Sequence, residues 1–483
     1  MKKYVLYLSA LITIAVTGCR KIEMDGEKEI VIINGGGSSS TGKTVTLSGR
    51  ITKDTTLLKA DNNFIKGSVY ITKGVTLTIE KGATVKGTYT GADVAFLVIS
   101  RGGKIIAQGS ADEPIVFTSA SPNPQSGDWG GIVICGTAPI NTSTLGTQGL
   151  YEVEGGINNS NGDGFAGSGD AAFPTGNSND NSGTLSYVRI EYAGYAFQPD
   201  KEINSLTMAG VGSGTTIDHV QVTYAKDDAY EWFGGTVNCK YLIAFKTQDD
   251  DFDTDNGYSG MVQFGLIIRD SSIADISNSE AFESDNNSGG TTATPKTSAI
   301  FSNVTAIGPR ATTANIGNSL FRGATHIRRN TAISIFNTII MGWPRGIEID
   351  ATTGTSTALN IEDSSLRLRN ITIAGCATST RFSGTAGATI NNDAAFNTWF
   401  TNPFFNNDIL ANASDAKLIQ PFNYTAPDPT PFGGSNGNQK ILNGASFSDA
   451  KLTNPFFKAV TFRGAIGAAG DDQTWWKGWT RWN

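Results

Sequence analysis

From Thr44 onward the chain alternates short apolar or β-branched runs with turns rich in Gly, Asn and Asp. Val45-Thr46-Leu47, Val75-Thr76-Leu77-Thr78-Ile79, Phe96-Leu97-Val98-Ile99 and Ile115-Val116-Phe117 are examples. Each run is strand length, and no helical 3.6-residue period intervenes. Strands this short and this closely spaced, without the two-residue Asn-Gly or Asp-Gly connections of hairpins, predict successive turns of a parallel coil. The sequence thus predicts an all-β fold: one right-handed parallel β-helix over 44–483 with inserted loops and a C-terminal cap. The Gly, Asn and Ser stretch 155–182 and the Pro-rich stretch 425–438 are expected to loop out of the coils. Four tryptophans near the end, Trp475, Trp476, Trp479 and Trp482, are expected to cover the last coil, whose open edge would otherwise invite aggregation.

The middle of the chain repeats visibly. Asp228-Ala229-Tyr230-Glu231-Trp232-Phe233 aligns with Asp250-Asp251-Phe252-Asp253-Thr254-Asp255, 22 residues on. Glu280-Ala281-Phe282-Glu283-Ser284-Asp285 follows after 30, then Arg345-Gly346-Ile347-Glu348-Ile349-Asp350. One more coil fits between the last two, and Ser319-Leu320-Phe321-Arg322-Gly323 would put Arg322 in the same column. Strand side chains alternate between faces. Tyr230, Phe252, Phe282 and Ile347 should therefore point inward, and Glu231, Asp253, Glu283 and Glu348 outward, with Asp255, Asp285 and Asp350 two places later. Parallel coils stack about 4.8 Å apart. Neighbouring carboxylates at that spacing repel by roughly 3–4 kcal/mol at an effective dielectric near 20. A divalent cation, Arg322, a raised pKa or plain hydration must relieve that.

Three further sequence features resemble a known family. They are Asn181-Ser182-Gly183-Thr184-Leu185-Ser186-Tyr187-Val188-Arg189-Ile190-Glu191, Glu231-Trp232-Phe233-Gly234-Gly235-Thr236-Val237, and the acidic run from Asp249 to Tyr258. With Asn454-Pro455-Phe456-Phe457, Val460-Thr461-Phe462-Arg463-Gly464-Ala465 and the closing Gly478-Trp479-Thr480, they resemble the right-handed parallel β-helix lipoproteins common in Bacteroidota. The resemblance implies a pectin-lyase-like fold and a cell-envelope location. It implies no settled activity and carries no site residue over.

The N-terminus points the same way. Lys2 and Lys3 precede an apolar run from Tyr4 to Val16, too short to span a bilayer, and Val16-Thr17-Gly18-Cys19 matches a lipobox. Residues 1–18 read as a lipoprotein signal peptide, Cys19 as the lipidated residue, and 19–43 as a tether ending in a Gly/Ser linker. Arg20 is not the aspartate that retains lipoproteins in many inner membranes, so the outer membrane is expected, with its face left open. A net charge of −7 argues against a nucleic-acid partner. The partners expected are the membrane through the anchor, polysaccharide and an outer-membrane uptake complex.

Candidate chemistry lies on the acidic column. The ligand-binding candidates are Asp228, Glu231, Asp253, Asp255, Glu283, Asp285 and Glu348. Asp251, Asp253 and Asp255 would share one strand face and offer oxygen ligands, so calcium is the one cofactor indicated. The stretch is not an EF-hand, because its glycine is one place late and Val262 stands where the closing Glu should be. Glu231, Asp253, Glu283 and Arg322 are the catalytic candidates. With them the column could serve a glycoside hydrolase, or a polysaccharide lyase taking Arg322 or Lys246 as base. Tyr192, Tyr195, Phe197, Trp232 and Phe233 could line a sugar groove or stack inside the coil. His219 and His326 show no readable partner and read as surface or structural histidines, and Cys135, Cys239 and Cys376 as buried core residues. Two functions compete: a surface lipoprotein that binds polysaccharide or acts as an envelope scaffold, and a lyase or hydrolase on the same fold.

Overall fold

The computed structural model describes residues 30–34, 42–198, 201–315 and 317–482. The coils stack into three parallel sheets. One coil shows the plan: Tyr230–Phe233 lies in the first sheet, and Asn238–Phe245 bends in its middle to supply a strand to each of the other two. The next coil then returns to the first sheet as Phe252–Asp255. Inward positions build a continuous apolar ladder. Ile190, Val222, Ala244, Ile267, Ala306, Ile340 and Ile373 pair in register through seven coils, all solvent-excluded. Each larger aliphatic buried this way contributes about 1.5–3 kcal/mol.

The bend in each long strand needs one left-handed residue. Tyr187, His219, Tyr241, Phe264, Asn303, Asn337 and Asn370 fill it, with φ between 50 and 65°. Asparagine tolerates that region, whereas an aromatic residue there costs about 1–2 kcal/mol. The rings offset part of this by stacking coil on coil, at 4.3 Å for Tyr187–His219, 4.3 Å for His219–Tyr241 and 5.0 Å for Tyr241–Phe264.

The C-terminal tryptophans do not cover the last coil. The tail turns back and runs over the outside of this bend toward the middle coils. Side-chain amides on the coils grip its backbone. Gln263 donates to the Lys458 carbonyl at 2.8 Å and accepts from the Lys458 amide at 2.8 Å, and Gln221 does the same with Arg481 at 2.7 and 2.9 Å. Asn303 donates to the Phe462 carbonyl and Asn337 to that of Ser446. Trp479 meets the rings of Tyr187 and His219 edge-on, and Trp482 meets Phe245. The end of the core is closed instead by the helix Asp393–Phe400, whose Phe396 and Phe400 are buried in the main core. At the other end Ile30–Asn34 pairs antiparallel with Thr44–Ser48.

The segment between Cys135 and Gly183 leaves the coil, as expected of 155–182, and forms two small hairpins. It packs Ile140, Val153, Ile157 and Ala166 over the outer face of the first sheet, on Tyr70, Phe96, Val98, Val133, Cys135 and Phe233. The stretch 425–438 is not wholly loop: Asp428–Pro431 pairs antiparallel with Leu418–Gln420.

Candidate functional site

The outer face of the first sheet carries one register column. It runs Tyr70, Val98, Val133, Thr207, Glu231, Asp253, Glu283, His326, Glu348 and Arg381. Its apolar start lies under the inserted hairpins, and charge begins at Glu231. The inward neighbours Tyr230, Phe252, Phe282 and Ile347 are solvent-excluded, as the alternation predicts. The residue between Glu283 and Glu348 differs from the sequence expectation. A register shift at Ser279/Glu280 pairs Phe321 with Ser279 and Gly323 with Glu280, which leaves Arg322 out of the column and puts His326 in it. The Arg322 side chain still reaches the column, at 3.2 Å from both Glu348 oxygens and 3.6 Å from Glu280 and Asp350.

Pointing out of the coil does not mean pointing into water. Glu348 is 1% exposed, His326 2%, Glu280 3% and Glu231 7%. Buried charge must be paired or protonated, and the column divides on that requirement. In the later coils it is paired. Arg328 bonds Glu283, and Asp285 receives Arg328 at 2.8 Å and Arg329 at 2.6 Å. His326 stands between acids, with Nε2 3.1 Å from Asp350 and Nδ1 3.3 Å from Glu283. Glu348 also takes Arg345 at 2.7 Å, with Arg381 at 3.4 Å. Burial opposes ionisation here, but these partners outweigh it: Glu283, Glu348 and Asp350 are held below their usual range and His326 above its own.

In the earlier coils the acids stand without such partners. Among the described residues no Lys, Arg or His nitrogen lies within 4 Å of the side-chain carboxylate of Asp227, Asp228, Glu231, Asp249, Asp250, Asp253 or Asp255. Desolvation, followed by neighbouring carboxylates, pushes Glu231 and Asp253 well up, Asp255 to about 8 and Asp250 to about 6. Neutral donors help only in part. Asn204 bonds Glu231, the Asp250 amide donates to Asp228 at 2.8 Å, and the buried Asp253 Oδ1 has no hydrogen-bond partner.

The expected metal triad does not form. Asp251 precedes its strand and turns into the coil, where its carboxylate meets the solvent-excluded Arg269 at 3.1 Å. It is therefore separated from Asp253 and Asp255, because parity within the strand does not extend to the corner before it. Other sets converge instead. Asp228, Glu231 and Asp253 offer oxygens within 4.8 Å of one another, as do Asp250, Asp253 and Glu283. Calcium binds oxygen at 2.3–2.6 Å, so oxygens on opposite sides of one ion stand about 4.6–5.2 Å apart. The oxygen-only donors fit that ion, best in the set Asp228, Glu231 and Asp253, because Glu283 in the other set is already bonded by Arg328. The set Glu280, Glu283 and His326 fits less well, since its charge is already met by Arg328 and Asp350.

The aromatic candidates do not form one groove. Trp232 is inside the coil, stacked on Tyr258. Phe233 lies under the hairpins against Tyr151, Tyr192 stacks on Tyr224 at another corner, and Tyr195 and Phe197 pair near Phe96. Lys246 is engaged by Asp270 and Tyr224, in the turn after the long strand rather than on the acidic column. Cys135 and Cys239 are buried free thiols and Cys376 is half-buried. Cys19 lies outside the described residues. Sequence reasoning missed His326, Arg328 and Arg329, although counting one 22-residue coil back from Glu348 lands on His326.

Three parallel sheets wound into one coil, with a charged column on the outside of one of them, define a solenoid protein of the parallel β-helix class. The chain belongs to the pectate-lyase-like β-helix domain family, whose model matches residues 49–408. That match ends where the parallel stacking does, at the strand Asp408–Leu410. No curated protein and no solved structure matches the chain.

Proposed function

We propose that this β-helix is an outer-membrane lipoprotein, anchored through Cys19, that binds acidic polysaccharide on the charged face of its first sheet with calcium as bridge. One observation carries the binding reading: the carboxylates of Asp228, Glu231 and Asp253, the first two buried and the third half-buried, none ion-paired among the described residues, converge within 4.8 Å, directly beside an arginine-rich half. A cation would relieve the acids and meet an anionic sugar, while Arg328, Arg329 and Arg345 lie along the same face. The lipobox supports the anchor. Neither an uptake complex nor a scaffold role has a corresponding feature on this face.

A second reading, glycoside hydrolysis, is favoured by the raised pKa of Glu231 and Asp253. A carboxyl kept protonated by burial can act as general acid. A lyase reading through Arg322 is weaker. Burial works against the charge of Arg322, but Glu348, Glu280 and Asp350 raise its pKa further, away from a base. The test is a glycan array probed with residues 20–483, with calcium or EDTA, scored for retention, new reducing ends and unsaturated products. Calcium-dependent retention without cleavage supports binding, new reducing ends support the hydrolase, and loss of all three refutes the site.

A further inference from the structure

We infer that the cleft between the last coils and the returning tail is a second carbohydrate site, one that holds an anionic sugar by its oxyanion. The cleft encloses about 440 Å³ and is lined by Ser364, Arg367, Arg369, Asn370, Phe404 and Ser446, among others. It lies at the bend between the second and third sheets and shares no residue with the acidic column, so either site can fail its test without the other.

Arg369 carries the argument. Its guanidinium lies over the Phe405 ring, 3.5 Å from the centroid, with Trp399 at 5.6 Å. Among the described residues no carboxylate lies within 4 Å of it, and its one hydrogen bond goes to the Leu368 carbonyl at 2.9 Å. Burial lowers its pKa to about 10, which still leaves it cationic at neutral pH. A guanidinium fixed face-on against a ring keeps its edge for a planar or tetrahedral oxyanion. Arg367 is committed, with Asp449 at 2.6 Å. Asn370 is 7% exposed; its carbonyl accepts from Asn406, and among the described residues its amide nitrogen meets no acceptor. A half-buried cation and a buried asparagine thus line the same cleft with donors unspent.

The rest of the lining selects a sugar. Phe404 is 85% exposed at the rim, a flat apolar face of the kind that stacks on the C–H face of a pyranose. Ser364, Ser446 and Ser448 also line the cleft, and their hydroxyls suit ring hydroxyls. The shared chemistry is a carboxylate or sulfate on a pyranose ring.

The experiment is calorimetric titration of the full chain with glucuronate, a sulfated galactose disaccharide, the unsulfated disaccharide, free sulfate and a mononucleotide. Saturable binding of an anionic sugar is expected, with the unsulfated sugar at least about tenfold weaker. Arg369→Gln should weaken that binding about tenfold or more. Phe404→Ala, an exposed change that leaves the core intact, should weaken the sugar while sparing free sulfate. Absence of saturable binding by both anionic sugars overturns the site. So does binding that survives both substitutions, or a mononucleotide that binds more tightly than either sugar.

Discussion

Asp253→Asn separates a cation site from inert charge. The Asp253 carboxylate shares a neighbourhood with Glu231 and Asp228 and another with Asp250 and Glu283, with oxygens within 4.8 Å in each. Two ionised carboxylates at that distance repel by about 3.5 kcal/mol at an effective dielectric near 20. Without a cation the folded chain either bears that repulsion or holds a proton against neutral solvent. The substitution removes one charge and supplies an amide to a neighbouring oxygen, with almost no change in volume. For 483 residues the unfolding entropy near 60 °C is about 1 kcal/mol/K, so the full repulsion corresponds to roughly 3–4 °C. Calcium at a hundred times its Kd would add about 2.7 kcal/mol to the wild type, or roughly 3 °C. In scanning fluorimetry at pH 8, Asp253→Asn should therefore melt about 2–4 °C higher in EDTA, yet gain much less from calcium. A variant that melts lower in EDTA, or gains as much from calcium as the wild type, refutes the reasoning.

Other outcomes follow from the same geometry. Stability in EDTA should peak between about pH 4 and 6. Asp255, raised from 3.8 to about 8, and His326, raised above 6.5, both stabilise at low pH and lose that contribution as the pH rises through their folded values; Glu283, Glu348 and Asp350, all lowered, lose theirs as it falls below about 4. A melting maximum at pH 8 or above in EDTA contradicts this. Trp479→Ala should loosen the returning tail by about 3–5 kcal/mol of local docking, so limited proteolysis should cut within 445–482 first, and a tail as resistant as the wild type's counts against it. Cys19→Ala should move the protein from the membrane fraction to the soluble fraction, and continued sedimentation with membranes rejects the anchor.

The parts of this fold legible in sequence are those set by local parity. Tyr230, Phe252, Phe282 and Ile347 face inward because a strand alternates, and the 22-residue step from Glu231 to Asp253 marks one coil. Parity is lost wherever the count is interrupted. Insertions between Glu283 and Glu348, together with the bulge at Ser279/Glu280, made Arg322 look like the column residue when His326 is. Parity also says nothing of what lies outside the coil, so it could not show that Glu231, His326 and Glu348 are buried and Asp253 and Glu283 half-buried. The tail was least legible. Gln221 meets Arg481 across 260 residues, and no local pattern marks an amide side chain as a backbone partner. The four tryptophans, expected on the last coil, lie on the middle coils instead.

The column itself argues that its charges are not there for the coil. Val98, Val133 and Thr207 occupy the same register position in the preceding coils, pair in the same parallel manner and support the same inward core. The backbone therefore accepts small uncharged side chains at this position. From Glu231 onward the chain places acids there instead, at a desolvation cost that Val or Thr would avoid. In the later coils arginines and His326 offset the cost, and that arrangement could be a structural lattice alone. In the coils of Glu231 and Asp253 no cation among the described residues lies within 4 Å of either carboxylate, and the unpartnered Asp253 Oδ1 is the visible remainder. An unpaired buried acid that the fold does not need is the feature to expect where a ligand completes the charge. The apolar hairpins cover the start of the column and reach the coil of Glu231, where Tyr151 packs on Phe233, so they flank one edge of the proposed site.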